Sequence, residues 1–208
     1  ILADSRFFTT SSSFSKATTN AHDGNIKFDI KADTTLLINN NTNFKLFKTS
    51  NDFQSLDNSR DETGDLINTS SLLSKDEREE NSLKNDFSVT KRFGDRGAYV
   101  RANMTNEVTR NEGDRLINSE TEIFGDNPDT ILRDQNTLIS GAYNSIFSQF
   151  TYRYPILSNK LFVDLRYSYR YDFRENQEST FDFDELNQAY TLFNESLSTD
   201  FEFKNTRR

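Results

Sequence analysis

Residues 161–174 alternate between apolar and polar side chains, strictly so from Val163 onward. Every odd position from Leu161 to Phe173 is apolar or aromatic, and every even position from Asp164 to Arg174 is polar or charged. Side chains alternate between two faces only in a β-strand, whereas a helix would distribute these charges around its whole circumference. The segment therefore predicts a strand with one apolar face and one charged face.

This predicted strand is long. At roughly 3.3 Å per residue it would extend about 46 Å, although a typical strand of a globular protein has only about 5–6 residues. A tilted strand crosses a bilayer in about 9–11 residues. The tyrosines near one end suit an interfacial aromatic girdle, and the charged face suits a water-filled lumen. Strands of soluble sandwiches also alternate, so the interpretation depends on whether the pattern recurs.

The pattern does recur along the chain. Alternating stretches occupy residues 26–31, 36–46, 98–108, 146–154 and 197–203, and short turns are predicted at residues 22–25, 32–35, 91–97 and 155–160. Polar stretches at residues 58–66, 112–133 and 175–191 are interpreted as longer loops. Long loops at one end and short turns at the other are typical of outer-membrane barrels. The sequence thus predicts an all-β, antiparallel up-and-down meander of about eight long strands, with residues 1–208 forming a single segment of a transmembrane β-barrel.

The alternation also assigns side chains to the two faces. The predicted lipid-facing residues are Val100, Ala102, Met104, Phe150, Tyr152, Val163, Leu165 and Tyr167. The predicted lumenal charges are Arg101, Arg153, Asp164, Arg166, Arg170 and Asp172. Two interpretations of these charges remain open. They form either a lumenal surface that contacts a plug or an incoming solute, or a structural salt-bridge ladder beside water, in which each exposed pair contributes about 0–1 kcal/mol.

Composition narrows the possible functions. The 208 residues are 33% hydrophobic, the mean hydropathy is −0.81, and no run approaches the roughly 18 apolar residues of a membrane helix. The absence of Cys and the single His argue against disulfides, cysteine or histidine metal sites and Ser-His catalysis. A net charge of −8 argues against a nucleic-acid partner. We expect no enzyme activity and no cofactor.

Two acidic clusters are weak candidates for chemistry. Residues Asp57, Ser59, Asp61 and Glu62 resemble the start of a calcium loop, but Glu62 stands where an EF-hand requires Gly. The carboxylates of Asp182, Asp184 and Glu185 could suggest glycoside hydrolysis, which needs two carboxylates held at a fixed separation in a rigid cleft. These three lie in a predicted loop, so solvated acidic loops are the preferred interpretation and no metal site is predicted.

The predicted short turns carry a family resemblance. The stretch Thr-Lys-Arg-Phe-Gly-Asp-Arg-Gly-Ala-Tyr-Val-Arg-Ala-Asn at residues 90–103 resembles a turn and strand of Bacteroidetes outer-membrane β-barrel proteins of the TonB-dependent receptor type. Residues 152–169, which begin Tyr-Arg-Tyr-Pro-Ile, are similar to that family's Tyr-x-x-Pro turn, and Gly-Asp-Leu-Ile-Asn at residues 64–68 is similar to its extracellular hairpin tip.

The resemblance implies a large barrel in the outer membrane of a Gram-negative bacterium, with a plug and with uptake of a solute energised by TonB. It also implies the partners: lipid bilayer or detergent, the remaining strands and plug of the parent barrel, TonB and a surface lipoprotein. The chain begins at Ile1 and ends in Thr-Arg-Arg directly after an alternating stretch. We therefore expect an internal segment of such a barrel.

The competing hypothesis is a soluble or cell-surface β-structure, an adhesin-like sandwich or a solenoid, that acts as a binding module. The strongly polar ends of the predicted strands favour it. A soluble fold needs a second sheet to cover the apolar face.

Overall fold

A computed structural model describes residues 6–157 and 160–208, which form one antiparallel sheet. Its strands are β1 (Phe7–Lys31), β2 (Leu36–Asp61), β3 (Leu66–Phe93), β4 (Ala98–Ile123), β5 (Asp129–Leu157), β6 (Leu161–Asp184), β7 (Ala189–Phe193) and β8 (Thr199–Arg207). The prediction of an all-β antiparallel meander of eight strands is confirmed. No helix in the described part of the chain is both long and apolar enough to cross a membrane.

The first seven strands are neighbours in chain order, and β8 departs from this order by pairing with β6. Strand β7 pairs with residues 181–184 of β6, and β8 pairs with residues 170–178. The two short strands therefore follow one edge of β6 in succession, separated by a 3-10 turn at Glu195–Leu197. The sheet is open, because β1 at the opposite end pairs with β2 alone among the described strands.

The hairpin turns are short at both ends of the sheet. They occupy residues 32–35, 62–65, 94–97, 124–128 and 185–188. Gly64, Gly94, Gly97 and Gly125 have positive φ angles in these turns, which a residue without a Cβ adopts at little cost. At residues 32–35 the Asp33 carboxylate accepts hydrogen bonds from the backbone N–H groups of Thr35 and Leu36, at 2.6 and 2.7 Å, an Asx-turn arrangement.

The predicted long loops are wrong. Within residues 58–66 only the turn at 62–65 lies outside the paired strands. Residues 112–123, 129–133 and 175–184 are likewise part of paired strands. Backbone N–H and C=O groups pair across strands whatever side chains they carry. A strand that is wet on both faces consequently shows no alternation, and its sequence looks like a loop. The expected contrast between long loops at one end and short turns at the other is absent from the described hairpins.

The turn predicted at residues 22–25 is also wrong. These residues lie inside β1, where His22, Asp23, Gly24 and Asn25 pair with Leu46, Lys45, Phe44 and Asn43. The Asp-Gly pair that suggested a hairpin has another function, because Gly24 leaves space for the ring of Phe44. The turn predicted at residues 155–160 is described only in part. Residues 155–157 belong to β5, Lys160 N donates to Leu157 O at 2.9 Å, and residues 158 and 159 lie outside the described residues.

The sheet is a single layer. Among the described residues no apolar side chain is buried, and the few buried side chains are all polar. Large apolar side chains from every strand are exposed instead. The sheet therefore has two bare faces, and their chemistry decides what each can contact.

Candidate functional surfaces

All eight predicted lipid-facing residues lie on one face of the sheet, which we call the apolar face. Residues directly opposite each other in an antiparallel ladder point to the same side. Val100 is opposite Tyr152, and Tyr152 is opposite Leu165. In the next row Ala102 is opposite Phe150, and Phe150 is opposite Tyr167. Met104 and Val163 lie two residues along β4 and β6 from members of these rows, and so on the same face. The alternation in sequence thus correctly identified which side chains share a face.

The apolar side chains of this face form a band across six strands. The apolar band comprises alternate residues 26–30 of β1, 38–46 of β2, 83–89 of β3, 100–108 of β4, 146–154 of β5 and 163–173 of β6. None of these side chains is charged. The band spans nine residues on β2, β4 and β5 and eleven on β6, close to the span of about 9–11 residues that a tilted strand needs to cross a bilayer, but only seven on β3 and five on β1.

Outside the band the same face carries charged side chains, and we call two facing pairs of carboxylates there the acidic rows. Glu77 lies opposite Asp114, and Glu79 lies opposite Glu112, on adjacent strands β3 and β4. Lys48 of β2 lies opposite Glu79, and its Nζ lies 3.9 Å from a carboxylate oxygen of Glu77, which offsets part of the repulsion expected between like charges directly opposite each other. The boundary of the band therefore separates apolar side chains from charged ones on the same face.

The band contains a small polar group near β2 and β3. Asn85 Nδ2 donates to Asn40 Oδ1 at 2.8 Å and to Thr42 Oγ1 at 2.6 Å, and Asn40 Nδ2 donates to Thr42 Oγ1 at 3.0 Å. These three side chains satisfy much of one another's hydrogen-bonding capacity. That pairing reduces the cost of placing them in apolar surroundings.

The six predicted lumenal charges share the opposite face, which we call the polar face. Arg153 forms two hydrogen bonds with Asp164, both at 2.7 Å, and Arg170 Nε donates to Asp172 Oδ2 at 2.8 Å. Arg101 Nε donates to Thr90 Oγ1 at 3.0 Å. Arg166 is opposite Thr151, the residue that also lies opposite Arg101. The polar face therefore contains ion pairs alongside Arg101, whose guanidinium group donates to a neutral hydroxyl.

Aromatic rings also contact one of these arginines, Arg153. The guanidinium carbon of Arg153 lies 5.2 Å from the ring centroids of both Tyr99 and Phe162. Such cation–π contacts contribute about 0.5–1 kcal/mol at exposed sites. The Arg153–Asp164 pair is fixed by two rings as well as by its own hydrogen bonds.

Side chains are more crowded on the polar face than on the apolar face. The register places every one of the buried polar residues on the polar face: Ser59, Thr90, Gln135, Thr137, Ser145, Thr151 and Thr180. Crowding of this kind is expected on the inner side of a curved sheet, where neighbouring side chains converge.

One residue of each acidic cluster stabilises a hairpin turn. The Asp61 carboxylate accepts hydrogen bonds from Thr63 Oγ1 at 2.7 Å and from the N–H groups of Thr63 and Asp65 at 2.9 Å. The Thr63 hydroxyl in particular lowers the pKa of Asp61. Asp184 caps the turn at residues 185–188 in the same way, and the Asn187 amide lowers its pKa. Within residues 6–157 and 160–208, no group of three or more His, Cys, Asp or Glu residues is arranged to hold a metal ion.

One feature of the polar face was not foreseen from the sequence. Strand β8 places Phe201 opposite Asn176 and Phe203 opposite Arg174, so both rings lie on the polar face. Alternation shows that two residues share a face, but the register with the partner strand decides which face it is. Pairing of β8 with β6 across the interruption at Glu195–Leu197 could not be read from the pattern.

Comparison with known proteins found no match: no protein-family model, no curated protein and no solved structure is significantly similar to this chain.

Proposed function

We propose that the chain is a segment of an outer-membrane β-barrel receptor or transporter, with its apolar band in contact with lipid and its polar face lining the lumen. The observation that carries this proposal is the band itself. It is exposed, it contains no charged side chain across six strands, and it is about as tall as a bilayer requires. Exposed apolar patches of this extent are rare on soluble monomers.

The polar face supports the same assignment. Transmembrane barrels alternate lipid-facing apolar residues with polar residues that face the interior. In this sheet the odd residues of β6 up to Phe173 contribute to the band, and the even ones carry the arginines and aspartates. The crowded polar face suits the inner side of a closed wall. Both outer edges are unpaired among the described strands, as expected for part of a larger barrel whose other strands would cover them.

The more specific parts of the proposal come from the resemblance at residues 64–68, 90–103 and 152–169. On that basis the parent protein takes up a solute through the outer membrane of a Gram-negative bacterium, with TonB supplying energy and with a plug and a surface lipoprotein as partners. The acidic rows beyond the band, with Glu77, Glu79, Glu112 and Asp114, would then lie in water outside the bilayer.

The decisive experiment compares folding of this chain in buffer and in neutral detergent. Circular dichroism reports β-structure, and size-exclusion chromatography reports dispersity. The proposal expects aggregation in buffer and a β-rich, monodisperse species in detergent. A monodisperse β-rich monomer in plain buffer would contradict it, because the band would then be covered by protein, as in a soluble or cell-surface binding module.

A further inference from the structure

We infer that the polar face carries a binding pocket for an organic anion with an aromatic body, formed where β5, β6 and β8 meet. The pocket has a volume of about 410 Å³ and is lined by Tyr143, Arg170, Arg174, Phe201, Phe203 and Arg207, with Asp172 and Asn205. This volume lies within the range of small-molecule sites. Its assignment to a transported solute rests on the function proposed above.

The register shows which side chains meet at this pocket. One row across the three strands is Tyr143, Arg174 and Phe203, and the next is Gly141, Asn176 and Phe201. Gly141 has no side chain, and the side-chain amides of Asn111 and Asn176 fill the space above it. The pocket is therefore bordered by the larger side chains of the first row, Tyr143, Arg174 and Phe203, together with Phe201 of the second.

The pocket presents exposed aromatic surface on the polar face. Phe201 and Phe203 are 51% and 48% exposed, although the exposed side chains of the apolar band point to the other side of the sheet. Tyr143 lies across β6 from Phe203, beneath the guanidinium group of Arg174 at 5.5 Å. Exposed rings of this kind favour a flat partner, because offset or edge-to-face aromatic pairs are stabilising beyond the area that they bury.

The charges of the pocket favour an anion. Asp172 is already engaged by Arg170, by Ser145 Oγ at 2.7 Å and by Tyr143 OH at 3.3 Å. In the part of the chain that the structure describes, Arg174 and Arg207 take part in no ion pair. Three guanidinium groups against one carboxylate leave the pocket positive in a chain of net charge −8. Guanidinium groups bind carboxylates and phosphates through paired hydrogen bonds.

The test uses 2-naphthoate as the probe and its neutral amide, 2-naphthamide, as the control. Each is titrated by calorimetry into the full chain, folded in neutral detergent or in buffer according to where it is monodisperse, with detergent alone as the blank. We expect saturable binding of 2-naphthoate and much weaker binding of 2-naphthamide. Equal binding of the two compounds would overturn the assignment of an anion site.

Variants locate the binding. Arg174→Gln and Phe203→Ser should each weaken 2-naphthoate binding about tenfold, since each loses a charge-assisted hydrogen bond or a stacking surface. Arg166→Gln is the matched control, because Arg166 is exposed on the same face of the same strand but lies outside the pocket. Arg207→Gln replaces Arg174→Gln if that variant loses β-structure by circular dichroism. Equal affinities of wild type and all variants would refute the pocket.

Failure of the pocket and failure of the proposed function give different results. A chain that folds only in detergent but does not bind 2-naphthoate keeps the membrane assignment and loses the pocket. A chain that folds in buffer and binds 2-naphthoate in an Arg174-dependent way keeps the pocket, as a surface site, and loses the membrane assignment.

Discussion

Gly24 and Phe44 face each other across β1 and β2, and a Cβ on Gly24 would lie 2.1 Å from Cζ of Phe44. The aromatic ring therefore lies over the glycine backbone. Glycine normally weakens a strand interior, because it has no side chain to pack and loses much chain entropy on folding. Here a cross-strand aromatic ring covers the exposed backbone and offsets part of that cost.

The contact predicts a non-additive pair of substitutions. Gly24→Ala should destabilise the wild-type sheet, because the Phe44 ring must leave its position, but should stabilise a Phe44→Ala background, where only the loss of unfolded-chain entropy remains, by about 0.4–1 kcal/mol. The double-mutant cycle is measured by reversible urea unfolding, in buffer or detergent as folding requires. Additive effects of the two substitutions would show that the ring does not depend on the glycine.

The same pair shows where sequence reasoning fails. An Asp-Gly pair between two apolar stretches is a strong hairpin signal, and only the partner strand reveals that Gly24 accommodates a ring. The polar halves of the strands were mistaken for loops for another reason. Residues 74–81 and 112–123 have no alternation to detect, since polar side chains occupy both of their faces, yet they are paired throughout.

Which residues of one strand share a face could be predicted, because a period of two determines this within the strand without knowledge of register. Val100, Phe150 and Leu165 share a side in the structure, as alternation required once neighbouring strands paired in phase. Phe201 and Phe203 show the limit of that inference. A shift of one residue reverses the face, and the break between β7 and β8 leaves the face of β8 undetermined by its own sequence.

The apolar band predicts a position-dependent effect of charge. Leu165 and Leu132 both lie exposed on the apolar face, at 61% and 71%, but only Leu165 lies within the band. Leu165→Arg should reduce the free energy of folding into liposomes by about 2–4 kcal/mol if the band reaches the bilayer midplane. Leu132→Arg should change it by less than about 0.5 kcal/mol, as at an ordinary surface position. Equal effects at the two positions would count against lipid contact.

The Arg153–Asp164 pair predicts a measurable but modest coupling. The two side chains are 35% and 25% exposed, so water screens their attraction. We expect a coupling free energy of about 0.2–1 kcal/mol, which should decrease as salt is added. Arg153→Ala should cost somewhat more, because it also loses the contacts with Tyr99 and Phe162.

Arg166→Ala is the control for that cycle. Arg166 lies on the same face but forms no ion pair within the described residues, and its removal should change the free energy of unfolding by less than about 0.5 kcal/mol. The coupling is measured by urea unfolding of wild type, Arg153→Ala, Asp164→Ala and the double variant, at low and at high salt. A coupling that is zero at both salt concentrations would reduce the pair to a contact without energetic consequence.

Tyr190 predicts a change in stability at high pH. Burial of the phenol and its hydrogen bond to Asp134 Oδ1, at 2.8 Å, raise the pKa of Tyr190 from 10.0 to about 12. Because the folded-state pKa lies above the ordinary value, the folded protein favours the protonated phenol. The stability that the protonated Tyr190 contributes is complete below pH 10 and is lost as pH rises toward 12. The difference in ultraviolet absorbance between wild type and Tyr190→Phe isolates this titration from those of the other tyrosines. Asp134→Asn should lower the pKa of Tyr190 while leaving it above 10, because burial persists; an unchanged value would mean that the carboxylate has no influence on the phenol.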